Sequence, residues 1–473
     1  MPPSPDQILT VEQMRAAEQA LIDAGTSVEQ LMQIAGRGAA EWVWRLAAHR
    51  PVTVLCGPGN NGGDGYVIAE SLREKGGRVQ VIAAVEPKTD AARNARSLYR
   101  GEVLGPDADV QGEVLVDCLF GSGLTRGLSG EHLGLLQRLA CSHRQRIAVD
   151  LPSGVESDSG AALNHGLPQY DLVIALGAWK FAHFLAPAAS MARERVLVPI
   201  GCAAVKGAAR GLGPLQLDSP PFDAHKYTRG LVVIVAGEMH GAAALAGQAA
   251  LHGGAGNVRI VSEKAAPGLF PPEIVHRIAG TAETLGEVVS DRRNGCVLVG
   301  PGLGRDSLAQ ARLKAVQDLP MRRVVIDADA LHMLRPGEVP AGCEAVACTP
   351  HDGEMAALEN SWGLSGEGAK TSRALALAKA SGMIVVFKGS DTVIAAPDGE
   401  IACAPRSTPW LSTAGSGDVL AGCIAARLSG NREPFRAVCE GVLLHAEAGR
   451  LAAPSFSAAD LAGTVREAYA ANR

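Results

Sequence analysis

At 473 residues the chain is long enough for two or three domains, each burying its own core. With 47% hydrophobic and 20% charged residues and a formal net charge of −5, it is too apolar and too nearly neutral to be disordered, and it lacks the basic footprint of a nucleic-acid or anionic-membrane binder. Its 56 glycines, about 12% against a usual ~7%, follow no collagen-like period and point to tight turns and close backbone approaches, as in an α/β enzyme.

Taken in chain order, TVEQ from Thr10 reads as a capping box that opens a helix, and Ser27 with Gln30 repeats the signal before LMQIAGRGAAEWVWRL. VTVLCG (52–57) is a short β-branched run that breaks into glycines; YVIAESLREKG (66–76) then takes up helical spacing before the strand RVQVIAAV. Further strands are predicted at VLVDCLFG (114–121), RIAVDLPSG (146–154), DLVIALGA (171–178) and RVLVPIG (195–201). Most are separated by enough chain for a crossover helix, so the first half is predicted to be a doubly wound parallel sheet. The aperiodic stretch 211–230, with three prolines and three glycines, marks a domain boundary. After it LVVIVAG, NVRIVS, CVLVGPG, RRVVIDAD, AVACTP and IVVFKG alternate with alanine-rich helices, and a long helical region follows Thr413. The second half is predicted to be another α/β domain. No apolar run approaches the ~18 residues of a membrane span, and the proline- and acid-containing N-terminus does not read as a secretory leader. The ten cysteines form no CxxC pair and read as reduced core residues, consistent with an expected cytoplasmic location.

Several of the expected strand ends carry polar residues. GPGNNGGDG (57–65) follows the first strand and opens a helix, where backbone N–H groups and a positive helix end meet a ligand phosphate. Asp117 with GSGLTRG (121–127), and Asp150 with LPSG, end neighbouring strands and converge on one crevice. Asp150, at a strand tip, is placed for tuned proton transfer. Asn61, Asp117 and Ser153 bring hard oxygen donors suited to an alkali or other hard cation. In the second half, STAGSGDVLAG puts a glycine turn before a helix with Asp418 in its first turn. The N–H groups of Gly415, Ser416 and Gly417 would form an anion hole for a phosphoryl group, and Asp418 would take a hydroxyl proton. KGSDT (388–392) offers a lysine and backbone donors for nucleotide phosphates, while TPHDGE (349–354), GPGLG (300–304), the turn 241–247 and IDADAL line the same edge.

With these residues in view, the first half, carrying NNGGDG, DCLFGSGLTRG and DLPSG in order, resembles the NAD(P)H-hydrate epimerase domain. The second half, carrying YTRG, GPGLG, IDADAL, TPHDGE, KGSDT and GSGDVLAG, resembles the NAD(P)H-hydrate dehydratase domain, a ribokinase-like fold. The resemblance covers nearly the whole chain. It implies a Rossmann-like epimerase domain over 1–212 and an ADP- or ATP-dependent dehydratase domain over 221–473 that together repair hydrated NADH and NADPH. Asn60, Asn61, Gly62, Gly63 and Asp64, with Gly121, Ser122, Gly123, Leu124, Thr125, Arg126 and Gly127, would hold the hydrated cofactor, and Asp150 would act on it. Asn61, Asp117 and Ser153 match the family's potassium ligands. Lys388, Gly389, Ser390, Asp391, Thr392 and Gly417 would hold ADP or ATP with Mg²⁺; Ala243, Gly304, His351 and Asp418 would line the hydrate pocket, with Asp418 as base. Asp391 departs from the family's smaller residue there. The resemblance also implies a homo-oligomer. The rival readings are a small-molecule kinase for the second half and a non-catalytic binding module for the first.

Overall fold

The computed structural model describes residues 6–318 and 323–473, and the chain divides after Gly211 into two compact units. In the first unit β1 (Gln7–Ile8) precedes two helices, α1 (Val11–Asp23) and α2 (Val28–Ala47), and both helices open on the expected capping boxes, Thr10 with Gln13 and Ser27 with Gln30. There follow β2 (Val52–Cys56), α3 (Asn60–Glu74), β3 (Val79–Ala83), α4 (Asp90–Leu98), β4 (Val103–Leu104), β5 (Gly112–Cys118), α5 (Gly130–Ser142), β6 (His143–Val149), β7 (Tyr170–Leu176), β8 (Ala192–Val198) and β9 (Ala209–Gly211). Seven strands form a parallel sheet of order β4-β3-β2-β5-β6-β7-β8. The order reverses between β2 and β5, so a crevice opens at their carboxyl ends, the switch point where doubly wound sheets bind ligands.

Two local differences from the sequence reading concern how the chain turns. No α-helix links β6 to β7 or β7 to β8, only turns and short 3₁₀ segments, and β1 pairs antiparallel with β9. Helix α3 starts at Asn60, six residues before the expected helical spacing, so NNGGDG forms its first turns. Packing explains those glycines. A Cβ on Gly62 would lie 1.9 Å from the Gly57 carbonyl oxygen, and one on Gly63 would lie 2.5 Å from Met32 Cε. Gly62→Ala is accordingly expected to destabilise this unit by about 2 kcal/mol or more through overpacking, read as a lower midpoint in a thermal melt.

The second unit contains β10 (Leu231–Val235), α6 (His240–His252), β11 (Asn257–Ser262), β12 (Val275–Ile278), α7 (Ala282–Val289), β13 (Cys296–Val299), α8 (Ser307–Gln317), β14 (Arg323–Ile326), α9 (Asp329–Met333), β15 (Ala345–Cys348), α10 (Asp352–Ser361), α11 (Lys370–Ser381), β16 (Ile384–Phe387), β17 (Val393–Ala395), β18 (Ile401–Cys403), α12 (Ser416–Leu428), α13 (Pro434–Ala452) and α14 (Ala458–Ala471). Its strands run β18-β17-β16-β15-β14-β13-β10-β11-β12, parallel from β12 to β16 and closed by the antiparallel β16-β17-β18 meander. Helix α12 is buried from Val419 to Leu428 and packs on α6 and α13, which fixes its N-terminus at the carboxyl edge of the sheet. Among the described residues no helix is long and apolar enough to cross a membrane. The ten cysteines are thiols; most are buried, Cys343 is half-buried and Cys141 is exposed.

Candidate active sites

In the first unit the carboxyl ends of β2, β5 and β6 open into a cavity of about 880 Å³. Asn60, Asn61, Asp64, residues 121–127 and Asp150 line it, joined by Arg15 and Glu18 from α1 and by Lys180. Gly62 and Gly63 do not reach it; they are buried inside α3. The cavity's centre of charge is a nearly solvent-free ion pair, Lys180 Nζ to Asp150 Oδ1 at 2.6 Å, with the ammonium also donating to the Leu176 carbonyl at 2.6 Å. The Ser122 N–H donates to the other Asp150 oxygen at 2.8 Å.

Asp150 adopts φ +65°, a conformation uncommon for a non-glycine residue. His183 holds it there. The Lys180 N–H donates to His183 Nδ1 at 2.9 Å, so Nε2 carries the proton and donates to the Asp150 carbonyl at 2.8 Å. Burial depresses the His183 imidazole to about 4, which keeps it in this neutral form. Burial works to raise the Asp150 carboxyl, but Lys180 and the Ser122 N–H outweigh it and hold the group below its ordinary value. Asp64 is pushed well above the carboxylate range by burial, reinforced by Asp150 and Glu18, and burial likewise raises Glu18. One ionised carboxylate thus faces two acids biased toward holding protons, an arrangement able to accept a proton at one point and donate one at another.

Asp117 and Ser153 sit behind this cavity. Asp117 is fully buried; Oδ1 accepts from the Leu119 N–H (3.0 Å) and Ser153 Oγ (2.8 Å), Oδ2 from the Ser153 N–H (3.2 Å) and Tyr170 OH (2.6 Å). On the cavity wall the Asn61 amide is buried next to Gly121, and neither of its polar atoms has a hydrogen-bond partner among the described residues. An orphaned buried amide offers an oxygen donor of the kind a weakly hydrated cation takes.

In the second unit the expected elements meet at the N-terminus of α12. Gly415 takes the left-handed conformation (φ +89°) as N-cap. Of the three N–H groups expected in the anion hole, that of Ser416 donates to the Thr413 carbonyl at 3.3 Å. Gly417 lies in the first turn, where a helix has no internal acceptor for its N–H. Lys388 Nζ lies 3.7 Å from the point a Cβ on Gly417 would occupy, so the end of β16 and the start of α12 share one site. The same ammonium contacts Asp327 Oδ1 at 2.9 Å and Glu354 Oε2 at 3.5 Å. Asp418 stands opposite, its carboxyl pushed up to about 6 by burial and by the Asp327 and Asp329 charges, against the pull of Lys388.

Around this centre, His351 is exposed and caps α10, its Nδ1 accepting from the Gly353 N–H (3.0 Å) and the Glu354 N–H (3.3 Å). Gly304 donates its N–H to Asp329 Oδ2 at 3.0 Å, and a Cβ there would lie 3.7 Å from the Glu238 side chain; Gly302 is pressed against Met239. Ala243 lies in α6 with no exposed surface. Gly389 and Ser390 are exposed at the tip of the β16–β17 turn, with Asp391 and Thr392 half-buried beside them. Motif reading passed over Arg15 and Glu18 of the first site, and the cations Lys180 and Lys370, the latter 2.6 Å from Asp391. Only Lys180 carried a signal, a lone charge within the apolar run LGAWKFAHF.

The fold and sites define a two-domain α/β enzyme: a doubly wound unit with an acid–base cavity, and a unit whose glycine turn, lysine and aspartate are arranged as in phosphoryl-transfer folds. The family described as NAD(P)H-hydrate dehydratase matches residues 232–469, and the one described as YjeF-related protein N-terminus matches residues 28–182. The bifunctional NAD(P)H-hydrate repair enzyme Nnr of Thermosynechococcus vestitus is 32% identical, over 95% of this chain and 93% of its own. That of Escherichia coli is 30% identical over 97% and 92%. A ribokinase-like superfamily protein from Enterococcus faecalis superposes with a TM-score of 0.50 at 24% identity, covering 57% of this chain and 98% of its own, which identifies the second unit's fold. The chain belongs to the bifunctional NAD(P)H-hydrate repair enzyme family, and it pairs an NAD(P)H-hydrate epimerase with an NAD(P)H-hydrate dehydratase.

Proposed function

We propose that residues 1–212 interconvert the R and S hydrates of NADH and NADPH in the cavity around Asp150, and that residues 221–473 dehydrate the S form at the expense of ADP or ATP. In the first step a C–O bond to the added hydroxyl breaks with proton delivery, and water adds to the opposite face with proton removal. Asp150, held ionised by Lys180, accepts the proton; Asp64, biased toward its protonated form, is placed to give one. In the second step Asp418 takes the hydroxyl proton as its oxygen bonds to the terminal phosphoryl group and the nucleotide's phosphoanhydride bond breaks. Phosphate then departs with the C–O electrons while the ring loses the neighbouring proton, and the nicotinamide double bond returns. Hydroxide is a poor leaving group and phosphate a good one, so a phosphoryl-transfer fold suits a dehydration. Mg²⁺ would accompany the nucleotide and offset its charge. Lys388, Gly417 and the turn 389–392 would grip its phosphates, and Gly304 and His351 would border the hydrate. Ten cysteine thiols accord with a reducing, cytoplasmic location for this reading.

The observation that carries this reading is that Lys388 and Asp418 meet at the N-terminus of α12, the ammonium 3.7 Å from the Cβ point of Gly417 and the carboxylate 3.8 Å from that of Gly415. The test is recovery of NADH absorbance from mixed R and S hydrates with ADP or ATP and Mg²⁺. Recovery should be complete for the intact protein, absent for Asp418→Ala, and should stop near the S fraction for Asp150→Ala. No nucleotide-dependent recovery by the intact protein would refute the dehydratase assignment and favour a kinase.

Potassium would be held by Asn61 with Asp117 and Ser153, where it would supply a fixed positive charge behind the cavity. Exchanging K⁺ for tetramethylammonium is expected to slow epimerisation about tenfold and leave dehydration of pure S hydrate unchanged; Asn61→Ala should remove the difference between the cations. Equal epimerase rates in both salts for the intact protein would rule the site out.

A further inference from the structure

We propose that Lys370 is a nucleotide-positioning residue, whose ammonium clasps the Lys388–Thr392 turn from beneath and neutralises the Asp391 carboxylate where nucleotide phosphates would bind. The proposal rests on the reading of that turn as the nucleotide site and adds to it a residue outside every motif.

Lys370 is the first residue of α11, whose N-cap, Ala369, supplies no side-chain cap. A cation there opposes the positive end of the helix dipole, so helix stability does not account for it. Its long side chain instead crosses to the neighbouring β16–β17 turn. Nζ lies 2.6 Å from Asp391 Oδ1, 3.0 Å from the Lys388 carbonyl oxygen and 4.5 Å from the Phe387 ring centroid. The paired side chains are only 14% and 12% exposed, so solvent screens them weakly. Gly389 is pressed onto the pair: a Cβ there would lie 2.5 Å from Lys370 Nζ and 2.8 Å from Asp391 Oδ1.

The arrangement has two consequences. The bond to the Lys388 carbonyl fixes the peptide that leads into Gly389, so the exposed N–H groups of the turn are presented in one orientation. The bond to Asp391 cancels a carboxylate that would otherwise repel a nucleoside di- or triphosphate at close range. Lys370 touches neither reacting atom. It acts through the turn.

The test is a double-substitution cycle on the full chain, read by calorimetric ADP binding with Mg²⁺ and by separate KM values for ADP and for S hydrate. Lys370→Met removes the ammonium that faces Asp391 and is expected to weaken ADP binding roughly tenfold or more, with the hydrate KM and the epimerase rate unmoved. Asp391→Asn alone should change ADP affinity less. The double variant K370M/D391N should regain most of the loss, since the repelling charge is gone. Lys370→Gln keeps a donor for the Lys388 carbonyl and serves if the methionine variant fails to fold; its ADP affinity should fall between the two. Purely additive effects, or equal rises in both KM values, would overturn the clasp. Gly417→Val, which crowds the α12 N-terminus, separates the two claims. If it weakens ADP binding while K370M does not, the clasp alone fails; if neither does, the nucleotide reading fails with it.

Discussion

Asp418→Asn is expected to reduce nucleotide-dependent dehydration by about 10³-fold, the scale of a lost general base, while the variant melts at a higher temperature than the parent. Both effects come from one environment. The carboxyl is pushed from 3.8 to about 6 by burial and by the Asp327 and Asp329 charges, so ionising it costs the folded protein free energy. The folded state therefore holds the proton more tightly than the unfolded chain. Stability falls as pH rises from 3.8 to about 6, and the penalty stays in full above that. An asparagine escapes it. The gain in melting temperature should be present above the folded value and vanish below the unfolded one. The rate runs the opposite way in pH, because only the ionised form takes a proton: the parent's kcat should be level above about 6 and fall below it. A variant less stable at neutral pH, or a parent rate with no acid limb, would remove Asp418 from the role of base.

How much of this was legible beforehand depends on what each residue's signal was. Strand runs such as VTVLC and LVVIV were plain because strands buried on both faces are continuously apolar, and the capping boxes at Thr10 and Ser27 were plain because their bonds are local. Asp150 and Asp418 could be placed because each directly follows a pattern that ends a strand or starts a helix. The first turns of α3 misled because glycine composition argues for a loop, whereas here glycine is demanded by backbone contacts with Gly57 that only tertiary structure creates. The strands β1 and β9, two and three residues long and about two hundred residues apart, carry no periodicity at all. The cations were hidden for the same reason. Lys180 meets Asp150 across 30 residues and Lys370 meets Asp391 across 21, and no spacing rule links such pairs. Motif reading recovered the acids and glycines of the two sites together with Lys388, and missed Lys180 and Lys370.

Lys180→Met tests that last point most sharply, with an expected loss of at least about 10²-fold in epimerase kcat and little change in dehydration of pure S hydrate. Lys180 is 1% exposed, and its ammonium counters the desolvation of Asp150. Without it the Asp150 carboxyl rises toward its protonated form, and the proton acceptor is lost at neutral pH. Removing one member of a buried pair also costs about 3–5 kcal/mol of stability, so loss of activity alone would be ambiguous. Two companions resolve it. K180M/D150N leaves no uncompensated charge and should recover most of the melting temperature while staying inactive as an epimerase. In K180M itself any residual rate should gain at high pH, where the raised carboxyl ionises again. A double variant that regained epimerase activity along with its stability would show that Lys180 and Asp150 serve only the fold, and would move the proton transfer to Asp64 or Glu18.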